Sequence, residues 1–241
     1  MIPGLHIVGT DTGVGKTTVS VSIIRALVAD GCRVGVLKPV ATGASFFGTR
    51  MYSEDAERLR TALGTDVPLQ RINPLVYLEP LAPPVAARNE GHPLYVEQVD
   101  QMVREALDWW SERVDVIVVE GIGGFMCPLT ETTTAADLSI KLDFPSVVVA
   151  RRGLGTLSQT LLTIEAIRVR ELRVAGIVLN TPEPETDGLA ETTNGMELAR
   201  CVPGIAILAE VRHGEEETLI AQVHGVDWLK MAQRPRMLRG L

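Results

Sequence analysis

With 241 residues, 46% of them hydrophobic and 22% charged, the chain is long enough to bury a core, as one large α/β domain or two small ones, and too apolar to be disordered. Its 23 Lys+Arg stand against 30 Asp+Glu, and the net charge of −7 argues against a protein whose main work is neutralising nucleic-acid phosphates. Cys32, Cys127 and Cys201 are few, far apart and odd in number, so they form neither a disulfide framework nor a CxxC metal site and fit a reducing compartment.

Met1-Ile2-Pro3 leads into a short apolar run instead of a signal peptide, and no stretch approaches the ~20 apolar residues that span a bilayer. A cytoplasmic location without a membrane partner is therefore expected. Nearly continuous β-branched runs recur at Leu5 to Val8, Arg33 to Leu37, Val114 to Val119, Ser146 to Ala150, Val174 to Leu179 and Ile205 to Val211. Such runs read as strands buried on both faces. Helical spacing appears between them, in Val96, Val99, Val103, Ala106, Leu107 and Trp110, and again in Leu157, Leu161, Ile164 and Ile167. Residues 64 to 93, with six prolines, and residues 181 to 195 read as surface loops. The last eight residues, Arg234 to Leu241, carry three arginines among Pro and Gly and read as a frayed, solvated tail. Strands alternating with helices through right-handed crossovers predict one α/β domain over residues 1–241. Its three layers would be a mostly parallel sheet of about seven strands with helices on both sides, and ligands would bind at the carboxyl ends of the strands.

The first strand runs into Gly9-Thr10-Asp11-Thr12-Gly13-Val14-Gly15-Lys16-Thr17-Thr18, which then opens a helix. This is the context of a phosphate-binding P-loop. Glycines let backbone N–H groups close around phosphate oxygens, and the helix N-terminus adds partial positive charge. Lys16 supplies a full charge for the β- and γ-phosphates, and the Thr17 hydroxyl is placed to ligate Mg²⁺. The loop is a variant, with Thr10 where the strict pattern has glycine and Gly9 one residue early. A glycine-rich turn merely joining strand to helix is the plainer reading, and the Gly-Lys-Thr-Thr ending argues against it.

Lys38-Pro39 ends the second strand and points Lys38 at the same sheet edge as the P-loop; Pro39 disfavours α geometry there, and Thr42-Gly43 adds a hydroxyl and a turn. Ser53-Glu54-Asp55 opens a helix, where an acid is either a first-turn partner of the helix dipole or a Mg²⁺ ligand. The apolar strand ending in Glu120-Gly121-Ile122-Gly123-Gly124 has the form of a Walker B segment, an acid that reaches Mg²⁺ beside glycines that admit a phosphate. Cys127 follows closely and either lines the site or is a small buried hydrophobe.

Residues 9 to 17, Lys38-Pro39 with Thr42-Gly43, and Val119 to Gly124 together resemble the dethiobiotin synthetases, P-loop NTPase-like enzymes. Further likenesses lie in Ser53 to Leu59, in Gly153-Leu154-Gly155-Thr156 with Thr160 to Thr163, and in Val178-Leu179-Asn180, so that the resemblance covers about residues 4 to 213. It implies an ATP- and Mg²⁺-dependent cyclo-ligase of biotin biosynthesis. In such an enzyme 7,8-diaminopelargonate takes up CO₂ (supplied as bicarbonate) as a carbamate, ATP phosphorylates the carbamate, and the second amine closes a ureido ring. Carried over by position, Lys16 and Lys38 steady γ-phosphate and carbamate oxygens, with Thr12 adding a hydroxyl. Thr17, Asp55 and Glu120 hold Mg²⁺. Gly13, Val14, Gly15, Thr18, Gly121, Ile122 and Gly123 surround the phosphates, and Asn180, Val211 and Arg212 the base. Thr42, Gly123 and the helix start at Gly155, Thr156 and Leu157 would meet the diamine substrate, the last three across a homodimer interface, although the sequence there fits a plain helix start equally well. The chain departs from the family pattern at Ser158-Gln159, where Asn-His is frequent, and at Glu210-Val211-Arg212-His213, where a proline usually follows the last strand.

Two other classes share parts of this pattern. Partition-type switch ATPases carry an extra lysine early in the loop, which Gly9-Thr10-Asp11-Thr12 lacks, and no terminal amphipathic helix with a basic face is evident. A related cofactor-synthesis ligase or amidotransferase with another substrate is the nearer alternative, although no Cys-His glutaminase pair stands in strong context.

Overall fold

The computed structural model of the chain describes residues 2–184 and 188–233. Its first half runs β1 (Gly4–Gly9), α1 (Lys16–Ala29), β2 (Val34–Leu37), β3 (Val40–Thr42), β4 (Ser45–Phe47), β5 (Arg50–Tyr52), α2 (Glu54–Leu63), α3 (Leu69–Ile72), β6 (Leu75–Tyr77) and α4 (Pro83–Asn89). The second half runs α5 (Val96–Ser111), β7 (Val116–Glu120), α6 (Ala135–Leu142), β8 (Ser146–Arg151), α7 (Thr156–Arg168), β9 (Val174–Asn180), α8 (Leu189–Cys201), β10 (Ile207–Val211), α9 (Glu216–Val223) and α10 (Trp228–Ala232).

The six apolar runs become one sheet in the order β10-β9-β8-β1-β7-β2, in which every pairing is parallel. Six strands stand where about seven were expected, and the α/β architecture is the one expected. Alternation along β1 feeds two apolar layers. Leu5 and Ile7 join α1, α2 and α5 through Ile23, Leu59 and Val103, whereas Val8 joins α7 and α8 through Ile164 and Leu198. Both layers are closed to water, which is why the central strands need no polar face.

Parallel register aligns the strand ends. Ile7 pairs with Glu120, Leu37 with Val119, Gly9 with Val149, and Asn180 with both Arg151 and Val211. One edge of the sheet therefore collects the P-loop, Lys38, Glu120 and Asn180.

Two loop expectations fail locally. Residues 64 to 93 contain α3, β6 and α4, because Pro83 and Pro84 start α4, a position where a proline's missing N–H costs nothing and its φ suits the helix. The segment 181 to 195 gives way to α8 at Leu189, whose first turn closes as the Gly188 N–H donates to the Glu191 carboxylate at 3.1 Å. Gly195 lies inside that helix, at a point where a Cβ would stand 2.7 Å from the Glu210 carboxylate of β10. The short ribbons β3·β6 and β4·β5 also lie outside the expected strands. The expected tail, Arg234 to Leu241, falls outside the described residues. Among the described residues no helix is long and apolar enough to cross a membrane.

Candidate functional site

The loop between β1 and α1 closes on itself through glycine geometry. Gly15 takes φ 87° at the N-terminus of α1, and a Cβ on it would stand 1.9 Å from the Asn180 amide nitrogen. No side chain fits there, so residue 15 must be glycine for the loop to lie this close to β9. The buried Asn180 amide donates to the Val14 carbonyl at 2.9 Å and so pins the loop to the end of β9.

Lys16 turns back over the loop, its ammonium donating to the Gly123 carbonyl at 2.6 Å and the Asp11 carbonyl at 3.1 Å. Burial lowers its pKa below the ordinary lysine value, with Glu120 opposing and Lys38 reinforcing the shift. The glycine turn after β7 thus touches the P-loop directly. Gly124 also serves this approach, and the Phe125 N–H donates to the Gly9 carbonyl at 2.9 Å.

Glu120 is the hub. One carboxylate oxygen, Oε1, accepts from Lys38 Nζ at 2.5 Å and from the Thr17 hydroxyl at 2.8 Å. The other, Oε2, is buried and has no hydrogen-bond partner among the described residues. Lys38 also reaches Asp55 Oδ2 at 2.9 Å, and its side chain is only 5% exposed. Burial pulls the Lys38 pKa down, but Glu120 and Asp55 more than offset this and hold it above the ordinary value, so the ammonium stays charged. Burial raises the Asp55 pKa in turn, and Lys38, with smaller pulls from Thr17 and Arg58, outweighs it, leaving the carboxyl below its usual range. Asp55 arrives through α2, which Ser53 caps by accepting the Ala56 N–H at 3.4 Å.

These groups line a cleft of about 290 Å³ bounded by Thr12, Gly13, Gly15, Lys16, Thr17, Thr18, Lys38, Thr42, Asp55, Glu120, Ile122 and Gly123. Residues from the P-loop, the β2 exit, α2 and the β7 exit are thus brought together as the motifs implied. The other expected residues lie elsewhere. Val14 is buried behind the loop, and the Gly121 N–H donates to the Ile7 carbonyl at 2.9 Å within the sheet. Val211 pairs with Asn180 at the strand ends, and the Arg212 N–H donates to the Gln222 side chain at 2.7 Å. Gly155, Thr156 and Leu157 start α7, where Gly155 has φ 91° and Thr156 is buried beside Thr160; none of the three lines the cleft.

Cys127 is half-buried and lines a neighbouring cavity of about 430 Å³ that shares Thr12 with the cleft and is bounded by Met126, Gln159 and Leu162. Burial raises its thiol pKa against the pull of Lys16, so it is a neutral lining group. One cleft residue was not anticipated: Arg58, three residues beyond Asp55 on α2. The i, i+3 spacing from Asp55 along that helix is the signal that would have found it.

The chain resembles known proteins over most of its length. The model of an AAA domain family matches residues 3–215. The ATP-dependent dethiobiotin synthetase BioD of Anaeromyxobacter dehalogenans (strain 2CP-C) is 44% identical over 197 residues, 82% of this chain and 84% of that protein. The one from Anaeromyxobacter sp. (strain Fw109-5) is 40% identical over 210 residues, 87% of this chain and 90% of the relative. A solved structure described as a plasmid partition protein of Borrelia burgdorferi B31 bound to AMPPNP superposes with a TM-score of 0.54 at 12% identity, covering 95% of this chain and 98% of that one, which shows a shared fold.

Proposed function

We infer that this chain, which belongs to the ATP-dependent dethiobiotin synthetase family, is a ligase of biotin biosynthesis that closes the ureido ring of dethiobiotin in the cleft around Glu120. Its substrates are 7,8-diaminopelargonate, CO₂ and ATP. One amine adds CO₂ to form a carbamate, and a carbamate oxygen attacks the γ-phosphorus as ADP leaves. The second amine then attacks the activated carbon, and phosphate departs as the ring closes.

Phosphoryl transfer of this kind asks for positioning and charge compensation. Lys16 and Lys38 bring two ammonium groups to one cleft, and Lys38 is held charged by its carboxylate neighbours. They serve the γ-phosphate and carbamate oxygens together with the Thr12 hydroxyl, while the Thr42 hydroxyl at the cleft wall would bond a substrate amine. Asn180, Val211 and Arg212, at or just past the ends of β9 and β10, would meet the base.

The single observation that carries a metal role is the unpartnered, buried Glu120 Oε2, since a carboxylate oxygen withdrawn from water calls for a cation or donor. With the Thr17 hydroxyl and Asp55 it makes an all-oxygen set that fits Mg²⁺. Glu120, Asp55 and Thr17 would hold the ion, which would supply positive charge to offset the negative charge developing in phosphoryl transfer.

A second copy of the chain belongs to this reading. Leu154 and Leu162, at and on α7, are 96% and 68% exposed, and Leu162 borders the cavity next to Thr12. Pairing about a two-fold axis would cover them and bring the α7 start at Gly155-Thr156-Leu157 towards a partner's substrate carboxylate. A cytoplasmic location completes the proposal, in keeping with three free cysteines.

The test is phosphate release by the purified protein with ATP, Mg²⁺ and bicarbonate, with and without 7,8-diaminopelargonate, while dethiobiotin is followed by mass. Diamine-dependent phosphate with matching ureido product is the expected result. Phosphate release indifferent to the diamine, with no product, refutes the substrate assignment and leaves a switch ATPase of the shared fold as the reading to pursue.

A further inference from the structure

Arg58 is the one arginine that lines the cleft among the described residues, and the reaction as derived makes no use of it. One turn of α2 separates it from Asp55, so both side chains lie on the same face of the helix. Its Nη2 donates to the Thr18 hydroxyl at 3.2 Å, which brings the guanidinium over the first turn of α1.

The cations of the cleft are differently engaged. Lys38 lies within 2.9 Å of two carboxylates, and Lys16 within 3.1 Å of two backbone carbonyls. Arg58 has no ion pair within 4.0 Å among the described residues; it acts on the Asp55 carboxylate only at longer range, and its one hydrogen bond among them goes to a neutral hydroxyl. Most of its five N–H donors are therefore open to a ligand. The arginine also borders a second cavity, of about 640 Å³, lined by Arg50, Tyr52, Glu54, Glu57 and Arg60, so its side chain stands against open space on that side.

We propose that Arg58 is a further phosphate-binding residue, whose guanidinium fork grips oxygens of the nucleotide's phosphate chain beside Thr18. The planar fork matches two oxygens at once, which an ammonium cannot do. The inference rests on the reading that the cleft holds a nucleotide triphosphate. It adds a charge that no sequence motif supplied, on the side of the cleft facing α2.

The experiment measures ATP and ADP affinity by calorimetry, and the steady-state constants for ATP and the diamine, in the wild-type chain, Arg58→Ala, Arg58→Lys and Arg58→Gln. A charge-assisted contact on an exposed arginine should be worth about tenfold, so Arg58→Ala should weaken ATP and ADP about tenfold and raise the KM for ATP alike. The KM for the diamine should stay unchanged. Arg58→Lys should recover only part of the loss, and Arg58→Gln, which keeps polarity and length without charge, should resemble alanine; it stands in if the alanine variant misfolds. Affinity for ATP within twofold of wild type in a folded variant overturns the proposal, as does a change confined to the diamine KM. A wild-type chain that binds no ATP would overturn the reading of the cleft itself, a different failure.

Discussion

His6 should make the protein acid-labile as pH falls from about 6.5 towards 4. It lies in β1, flanked by Val119 of β7 and Ser146 of β8, and is fully buried. Its Nδ1 lies 3.0 Å from the Ser139 hydroxyl, which also lies 3.1 Å from the Ala135 carbonyl. Nε2 has no hydrogen-bond partner among the described residues. The imidazolium would carry an N–H on both nitrogens, with no acceptor for Nε2 in the core, and burial accordingly lowers the pKa from 6.5 to about 4. The folded pKa lies below the unfolded one, so the neutral ring's contribution is complete above pH ~6.5 and is lost as pH falls towards 4. The full loss is about 3 kcal/mol, of which about 2 kcal/mol is gone by pH ~5. Urea unfolding at pH ~7.5 and ~5 should therefore show a stability loss about 2 kcal/mol larger in the wild type than in His6→Gln, because carboxylate terms cancel between the two. Equal losses would refute the reasoning. So would a native-state NMR titration of His6 with a midpoint near 6.5, a measurement that stands even if the variant does not fold.

Lys38→Ala should cut turnover ~100-fold or more, since it removes a charge compensating the transferred phosphoryl group; unchanged turnover in a folded variant would remove Lys38 from the chemistry. Glu120→Gln should raise the Mg²⁺ needed for half-maximal activity by ~tenfold or more, and a wild-type metal titration in that variant would argue against metal binding at Glu120. Gly15→Ala, with φ 87° and a Cβ 1.9 Å from the Asn180 amide, should lower the melting temperature and abolish ATP binding by calorimetry. Adding Asn180→Ala should restore part of the melting temperature, and an unperturbed single variant would show that the loop does not need this approach.

Much of the fold could be read along the chain because its strands are buried on both faces. A run such as Val116-Ile117-Val118-Val119 has no solvent side to explain, and all four residues are fully buried. The P-loop was legible for a related reason, since its glycines and Lys16 answer to the backbone geometry of one short turn. What stayed hidden was short or context-bound. The ribbon β4·β5 pairs only Ser45 to Phe47 with Arg50 to Tyr52, too few residues for a period to emerge, and the paired prolines before α4 signal a helix start as well as a loop.

The meeting of Lys38, Glu120 and Asp55 belongs to neither category. Each residue was found in its own motif, at the end of a strand or the start of a helix. That Lys38 and Glu120 touch depends on β7 lying between β1 and β2, with Leu37 opposite Val119. Strand order of this kind is set by crossover connections across the whole sheet, which no local pattern reports. Once β7 is inserted there, the next residue on each strand must meet its neighbour at the same edge, and α2 has only to return over that edge to add Asp55. The site is thus a consequence of topology acting on three separate signals. It follows that a substitution shifting the β2·β7 register by one residue would separate Lys38 from Glu120 while leaving all three motifs intact in the sequence.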